Sequence, residues 1–410
     1  MTANKSIAFL CHPYHRGGVT RWMADAAIAF ARQGWQVYFV TVAPSVTFFS
    51  GKGRETLIQL IQKGDAAVKI FSESVGYEFE FGTQEYRAYI YRRQLQNVPP
   101  GTPVILSDDA TVWDAAAPLY DTYPLVGVLH ADEAYYYTLA EKYCCSLSVL
   151  VCVSERVRKT TIQRIPDIDR KIIHNIPCGI NLPAVDFQSH GGDILQLVYV
   201  GRISEYQKRT GDLVKVCACL QQSKQAFHLD IIGDGPEKAA LESKFAEAGL
   251  GPLVTFRGWL SQKEVIGRLV NSDIVLLTSD FEGTPIAMME GLAMGCGLAG
   301  TRVSGIEDYE LHPDAADCIG LFSVGDIEDA VSKILKLAAV PISIRQQAAR
   351  KLAESEFSMQ VCLDKYAAAI DTIKAGSKAE IPKVRIPAGV ALRSRAIALA
   401  RYLRVSLTKR

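Results

Sequence analysis

The sequence predicts two doubly wound α/β domains, each a parallel sheet covered by helices on both faces. Three observations predict this class. A chain of 410 residues exceeds what one ordinary hydrophobic core serves and suits two domains of usual size. Short apolar runs of strand length alternate with helical patterns, as buried parallel strands and their crossover helices do. The alternation stops at a polar, glycine-containing stretch, residues 186–193 (DFQSHGGD), and then begins again.

The elements follow in order. Residues 6–11 read as the first strand, because this short apolar run lacks the longer apolar core and cleavage site of a signal sequence. Residues 20–33 have helical spacing and stop at Gln33-Gly34, and 36–42 form the next strand. Residues 44–82 are less regular, with a strand expected only at 69–71, before a helix at 85–96. PVILS (103–107), LVGVLH (125–130) and SVLVCVS (148–154) are further short strands, and residues 171–175 lead into a loop, IPCGIN. Beyond the hinge candidate, strands are expected at 195–200, 228–232, 254–258, 273–279 and 297–300, alternating with helices at 211–222, 236–248, 262–271 and 285–294. The expected division is residues 1–188, residues 189–375 and a tail, 376–410.

Composition excludes several classes. A net charge of +1 gives no general attraction to nucleic acid. No run of 18 apolar residues exists to span a bilayer. The ten cysteines include no C-x-x-C pair, and most sit in apolar patterns, as reduced thiols of a cytosolic protein do. The seven histidines lack metal-site spacing, so no metal is expected. The segment 381–410 holds eight Lys and Arg and no acid, with Leu392, Ala396, Leu399, Leu403 and Leu407 at helical spacing. Two readings of this basic amphipathic helix stand side by side: a peripheral contact with an anionic membrane surface, on its inner face, or a clasp packed on the first domain.

The chemistry concentrates in residues 280–295, DFEGTPIAMMEGLAMG. An apolar strand leads to a tight loop at Gly283, Thr284 can cap the following helix, and Pro285 suits its first position. Such a helix N-terminus presents free N–H groups to a phosphate or diphosphate. Glu282 and Glu290 flank it, and carboxylates suit sugar hydroxyls, which donate hydrogen bonds. Together they suggest a nucleotide-sugar donor, against the plainer alternative of a loop acid and a solvated helix face. Arg202, ending the strand at 195–200, and Lys208 bring two cations to the same edge, suited to diphosphate oxygens. Gly233 and Gly258 close neighbouring strands, either against a ligand or as tight turns. In the first domain, Gly17 and Gly18 follow His15-Arg16 at a helix start without either nucleotide fingerprint, and His130 ends a strand where it could bond a sugar or acceptor. Tyr135-Tyr136-Tyr137 either line an acceptor groove or pack.

Taken together, Gly17-Gly18-Val19, Val200-Gly201-Arg202 with Lys208, Gly233-Asp234-Gly235-Pro236, Gly258, the E-x7-E element Glu282 to Glu290, and Gly305-Ile306-Glu307 resemble retaining glycosyltransferases of the GT-B fold, in the GT4 family. The likeness runs from residue 17 to Phe357-Ser358. It implies that Glu290 binds ribose and that Glu282, Gly283 and Thr284 contact the transferred hexose. Arg202, Lys208 and the helix at Pro285 would hold the diphosphate, Gly17 and Gly18 would close on it, and His130 would lie near the sugar. It implies no cofactor besides the nucleotide-sugar substrate, transfer to a glycan or lipid-linked saccharide with retained configuration, and a last helix returning to the acceptor-binding first domain. A nucleotide-sugar epimerase and a non-catalytic binding protein are the alternatives on this fold. Gly291, where the family usually has Ala, and the single glycine at 303–307 depart from the pattern.

Overall fold

The computed structural model describes residues 5–13, 17–44, 57–185, 187, 194–373 and 385–408. The hinge candidate at 186–193, apart from residue 187, and His15 and Arg16 lie outside them. Two parallel sheets organise the chain. The first, in the order β3-β2-β1-β4-β5-β6-β7, comprises β1 (Ser6–Leu10), β2 (Gln36–Pro44), β3 (Val68–Val75), β4 (Val104–Leu106), β5 (Leu125–Leu129), β6 (Val149–Cys152) and β7 (Ile173–Asn175). The second, in the order β10-β9-β8-β11-β12-β13, comprises β8 (Leu195–Val200), β9 (Phe227–Ile232), β10 (Val254–Gly258), β11 (Ile274–Leu277), β12 (Gly297–Thr301) and β13 (Ile319–Phe322). Central strands such as β5 and β12 are buried at every position, so they read as unbroken apolar runs. In both sheets the order reverses beside the first strand, between β1 and β4 and between β8 and β11. The carboxyl ends there form the crevice in which such sheets bind ligands.

The region read as irregular is more ordered than its sequence suggests. Between residues 57 and 81 it forms a helix, Leu57–Lys63, the eight-residue strand β3, and a short helix, Tyr77–Phe81. β3 is an edge strand with alternating exposure, so Lys69, Ser72 and Glu73 interrupt the apolar signal that marks a central strand. The first helix spans Gly18–Arg32 and starts two residues before the expected 20, after Gly17 at φ 145°, a conformation that favours glycine.

Past β13 the chain returns to the first domain. In the helix Met359–Asp371, Tyr366 packs on Trp22 with ring centroids 5.6 Å apart, and Asp371 pairs with Lys5 at 2.8 Å. The C-terminal helix, Ala388–Thr408, lies on Tyr77–Phe81 and on Gln84–Leu95. The N–H of Thr83 donates to Ser394 Oγ at 3.0 Å, Arg401 donates to the carbonyl of Phe81 at 3.2 Å, and Tyr402 packs on Tyr77 and Phe81. The expected clasp contacts through Leu392 and Leu399 are not formed, since both are exposed; Ser394 and Ala398 are the buried residues. The side chains of Leu403 and Leu407 lie outside the description. All ten cysteines are free thiols, seven of them buried.

Gly291 has a packing reason. A Cβ there would stand 2.3 Å from Val275 Cγ2, so the buried β11 valine occupies the space an alanine methyl would take. Gly291→Ala is expected to destabilise by about 1–3 kcal/mol, read as a melting temperature lower by several degrees. Val275→Ala in the same chain should recover most of the loss. Gly389→Ala, where nothing lies within 4 Å, should be neutral or stabilising.

Candidate active site

The loops after β8 and β11 are sewn together before any side chain faces the crevice. Thr278 Oγ1 donates to the Lys208 carbonyl at 2.8 Å, and the Asp280 N–H donates to the Gln207 carbonyl at 2.8 Å. This places Lys208 Nζ 2.5 Å from Glu282 Oε1, which also accepts from Ser279 Oγ at 2.6 Å. Glu282 is only 4% exposed, and a buried carboxylate needs such neutralisation. Two residues expected to serve separate parts of a ligand are therefore bound to each other. Arg202 stands exposed at the end of β8, and among the described residues its guanidinium forms no ion pair.

The following helix spans Ile286–Ala293, with Pro285 at its N-cap rather than in its first turn. Thr284 does not cap it. Its hydroxyl crosses to the first domain and donates at 2.7 Å to the carbonyl of Val153, the residue just after β6. Among the described residues no side chain caps this terminus, so its first-turn N–H groups remain donors for an anion. One turn further, Glu290 is 9% exposed and accepts from Gln262 Nε2 at 3.3 Å, so it is not a solvated helix face. Burial pushes its carboxyl up to about 7, while Gln262 and Arg21 pull it down and Asp25 pushes it up.

Arg21 and Asp25 belong to the opposite domain, and the sequence reading missed them. A Cβ on Gly18 would lie 3.0 Å from Ile286 Cγ1, so the starts of the two helices touch across the domains. Arg21, paired with Asp25 at 2.8 Å, stands one turn beyond Gly18, as Glu290 stands one turn beyond Ile286. Only the docking of the domains relates these residues, so no local pattern could have found them.

His130 lies beside this contact. A Cβ on Gly283 would fall 1.9 Å from the His130 carbonyl oxygen, and the Asp132 N–H donates to the Glu282 carbonyl at 3.0 Å. The imidazole is 7% exposed, packed on Trp22 at 5.7 Å and Tyr136 at 6.3 Å, and neither ring nitrogen has a hydrogen-bond partner among the described residues. Burial lowers its pKa to about 3, so the ring is neutral at ordinary pH, with one donor and one acceptor unused. Of the three tyrosines, Tyr136 and Tyr137 are buried and only Tyr135 is exposed.

Gly233 and Gly258 hold loops together. The Gly233 N–H donates to the Gly258 carbonyl at 2.8 Å, and a Cβ on Gly233 would fall 1.9 Å from the Gly201 carbonyl oxygen. The turn reading of Gly233 is thus the one its contacts support. Gly305, at φ 74°, sits against the Gly283 carbonyl. Glu307 forms a two-pronged pair with Arg156, and Ser304 bonds Ser154 at 2.6 Å, so this element fastens the two domains.

Solved structures with this architecture cover nearly the whole chain. TarM aligns over 90% of this chain and 99% of its own, with a TM-score of 0.69 at 14% identity. Anabaena HepE in complex with UDP-glucose aligns over the same shares, with a TM-score of 0.67 at 15% identity. The fold is GT-B. Within this GT-B chain, residues 195–339 match the family of glycosyl transferases group 1. The amylovoran biosynthesis glycosyltransferase AmsK of Erwinia amylovora is 30% identical over 41% of this chain. The lipopolysaccharide 1,6-galactosyltransferase of Escherichia coli is 32% identical over 38% of it. These two matches span 42% and 43% of the relatives' own lengths.

Two outcomes follow from the geometry. Lys208→Met leaves Glu282 buried without its cation and should cost about 3–5 kcal/mol, whereas Lys208→Met with Glu282→Gln should recover most of that stability in thermal melts. For Glu290 the folded carboxyl titrates near 7, above its ordinary 4.5, so the folded state holds a proton that the unfolded chain has released. Its stabilising contribution is complete below about pH 4.5 and declines up to about pH 7. Glu290→Gln should therefore melt higher than the parent at pH 8, by up to about 3 kcal/mol, and the gap should close by pH 4.

Proposed function

We propose that this protein is a metal-independent, retaining glycosyltransferase that moves a hexose from a UDP- or GDP-sugar to a glycan or lipid-linked acceptor on the cytoplasmic side of a membrane. The observation that carries the reading is the buried Lys208–Glu282 pair beside an uncapped helix N-terminus, with Glu290 one turn inside it. The group 1 match over residues 195–339 and the GT-B neighbour holding UDP-glucose support it.

On this reading the donor diphosphate lies on the first-turn N–H groups of the helix at Ile286. Arg202 binds it bidentately, and Lys208 turns a second N–H toward it while keeping Glu282. Glu290 accepts the ribose hydroxyls. Glu282 accepts a hexose hydroxyl, with the Gly283 and Thr284 backbone alongside. His130, neutral and with both nitrogens unused, bonds a further hydroxyl of the sugar. Gly17 and Gly18 close on the diphosphate from the opposite domain and leave room for the acceptor. The bond from the anomeric carbon to the diphosphate oxygen breaks as the acceptor oxygen attacks from the same face, and the acceptor proton passes to the leaving phosphate oxygen. No side chain becomes covalently attached, so positioning and electrostatics supply the rate.

Thermal melts with UDP- and GDP-sugars test the donor, since a bound ligand raises stability as RT ln(1 + [L]/Kd). One series should stabilise the chain, and donor turnover should be detectable with the product anomer retained. Glu282→Ala should lower kcat roughly 10- to 100-fold with a smaller change in KM, whereas Glu290→Ala and Arg202→Ala should mainly raise the donor KM. EDTA should leave the rate unchanged. Loss on chelation, restored by Mg²⁺ or Mn²⁺, would overturn metal independence, and absence of any nucleotide-sugar stabilisation or turnover would overturn the function.

A further inference from the structure

We infer that the outer face of the C-terminal helix is a docking surface for an anionic lipid bilayer. The helix Ala388–Thr408 uses one side to pack on the first domain, and that side carries Ser394, Ala398, Arg401 and Tyr402. At about 100° per residue, Leu392, Ala396 and Leu399 fall together on the opposite side. Leu392 is 71% and Leu399 49% exposed, and Ala396 and Ala400 are exposed with them.

The charges are arranged around this stripe. Arg395 falls on one flank and Arg393 on the other, both exposed, and the helix contains no acid. This is the pattern of an interfacial helix, with an apolar centre that enters the headgroup boundary and flanking arginines whose stems lie along it while their guanidinium groups meet lipid phosphates. The acids of the packed elements, Glu78 and Glu80 on one helix and Glu85 on the other, belong to the helices beneath. With a net charge of only +1 on the whole chain, the basic face is local, and charge complementarity selects an anionic surface. A short apolar stripe of two leucines and small alanines gives shallow, reversible binding.

Because the helix is fixed to the first domain, docking orients that domain on the bilayer. Combined with the function proposed above, on which this step alone rests, it makes the acceptor a lipid-linked saccharide presented at the membrane surface.

The test is co-sedimentation of the full chain with vesicles of equal phosphatidylglycerol and phosphatidylcholine, against phosphatidylcholine alone. The chain is expected to pellet with the first at low salt, to remain in solution with the second, and to be released at high salt. Arg393→Glu with Arg395→Glu should lower the partition coefficient more than tenfold. Leu392→Asp with Leu399→Asp should lower it by a similar factor. Since all four side chains are exposed, both variants should keep the parent melting temperature and donor turnover. A Leu399→Trp variant should shift its fluorescence to the blue on the anionic vesicles. Failure of the parent to pellet, equal binding to neutral vesicles, or undiminished binding by both double variants would overturn the inference. Donor turnover is measured separately, so its failure is distinguishable from failure of the membrane contact.

Discussion

A carboxylate held almost out of solvent must be neutralised where it stands, and much of the site's architecture follows from how Glu282 meets that requirement. Its partner, Lys208, arrives on the loop after β8, while Glu282 itself arrives on the loop after β11. These strands are neighbours because the sheet order reverses there, so the pair exists only if the sheet is assembled correctly. Thr278, Asp280 and Gln207 fix the two loops to each other through backbone groups, which sets the distance between lysine and acid without involving any ligand. The ion pair is then a consequence of topology, and the crevice inherits its geometry from hydrogen bonds made elsewhere.

The second constraint is steric. Gly283 is enclosed by the His130 carbonyl on one side and Gly305 on the other, while Gly18 meets Ile286. At Gly283 and Gly305 backbone meets backbone with no room for a Cβ, and at Gly18 a Cβ would press on the Ile286 side chain. The first domain thereby brings His130 and Arg21 to the helix that starts at Ile286, and Thr284, Ser304 and Glu307 hold that relation with bonds to Val153, Ser154 and Arg156. Glycine appears in both domains wherever the crevice is narrowest.

How much of this was legible in the sequence depended on the range of the interaction. Five of the six strands of the second domain were plain, since a strand covered on both faces is an apolar run, whereas the four-residue edge strand β13 was not expected; the helix at 211–222 emerged with the bounds it has in the structure. The edge strand β3 was reduced to three residues because one of its faces is polar. Around the site, Glu282, Glu290, Lys208 and Arg202 could be singled out from loops and helix starts. What they touch could not: the bond from Lys208 to Glu282 joins positions 74 apart, and Thr284 turned from an expected cap into an inter-domain bond. Arg21 and Asp25 carry no local mark at all. In the tail, the helix was legible and its orientation was not, because serine and alanine rather than leucine face the domain beneath.

The contact between Gly18 and Ile286 has a further consequence, for traffic. A Cβ on Gly18 would already stand 3.0 Å from Ile286 Cγ1, so the space between the two does not take a phosphate group as it stands. A diphosphate approaching the helix start from that side cannot pass while the two helices touch. On the function proposed above, entry of the donor by that route requires the halves of the molecule to part, and departure of the spent nucleotide requires it again. On that reading the narrow seam between the domains acts as a turnstile, which passes one nucleotide per opening.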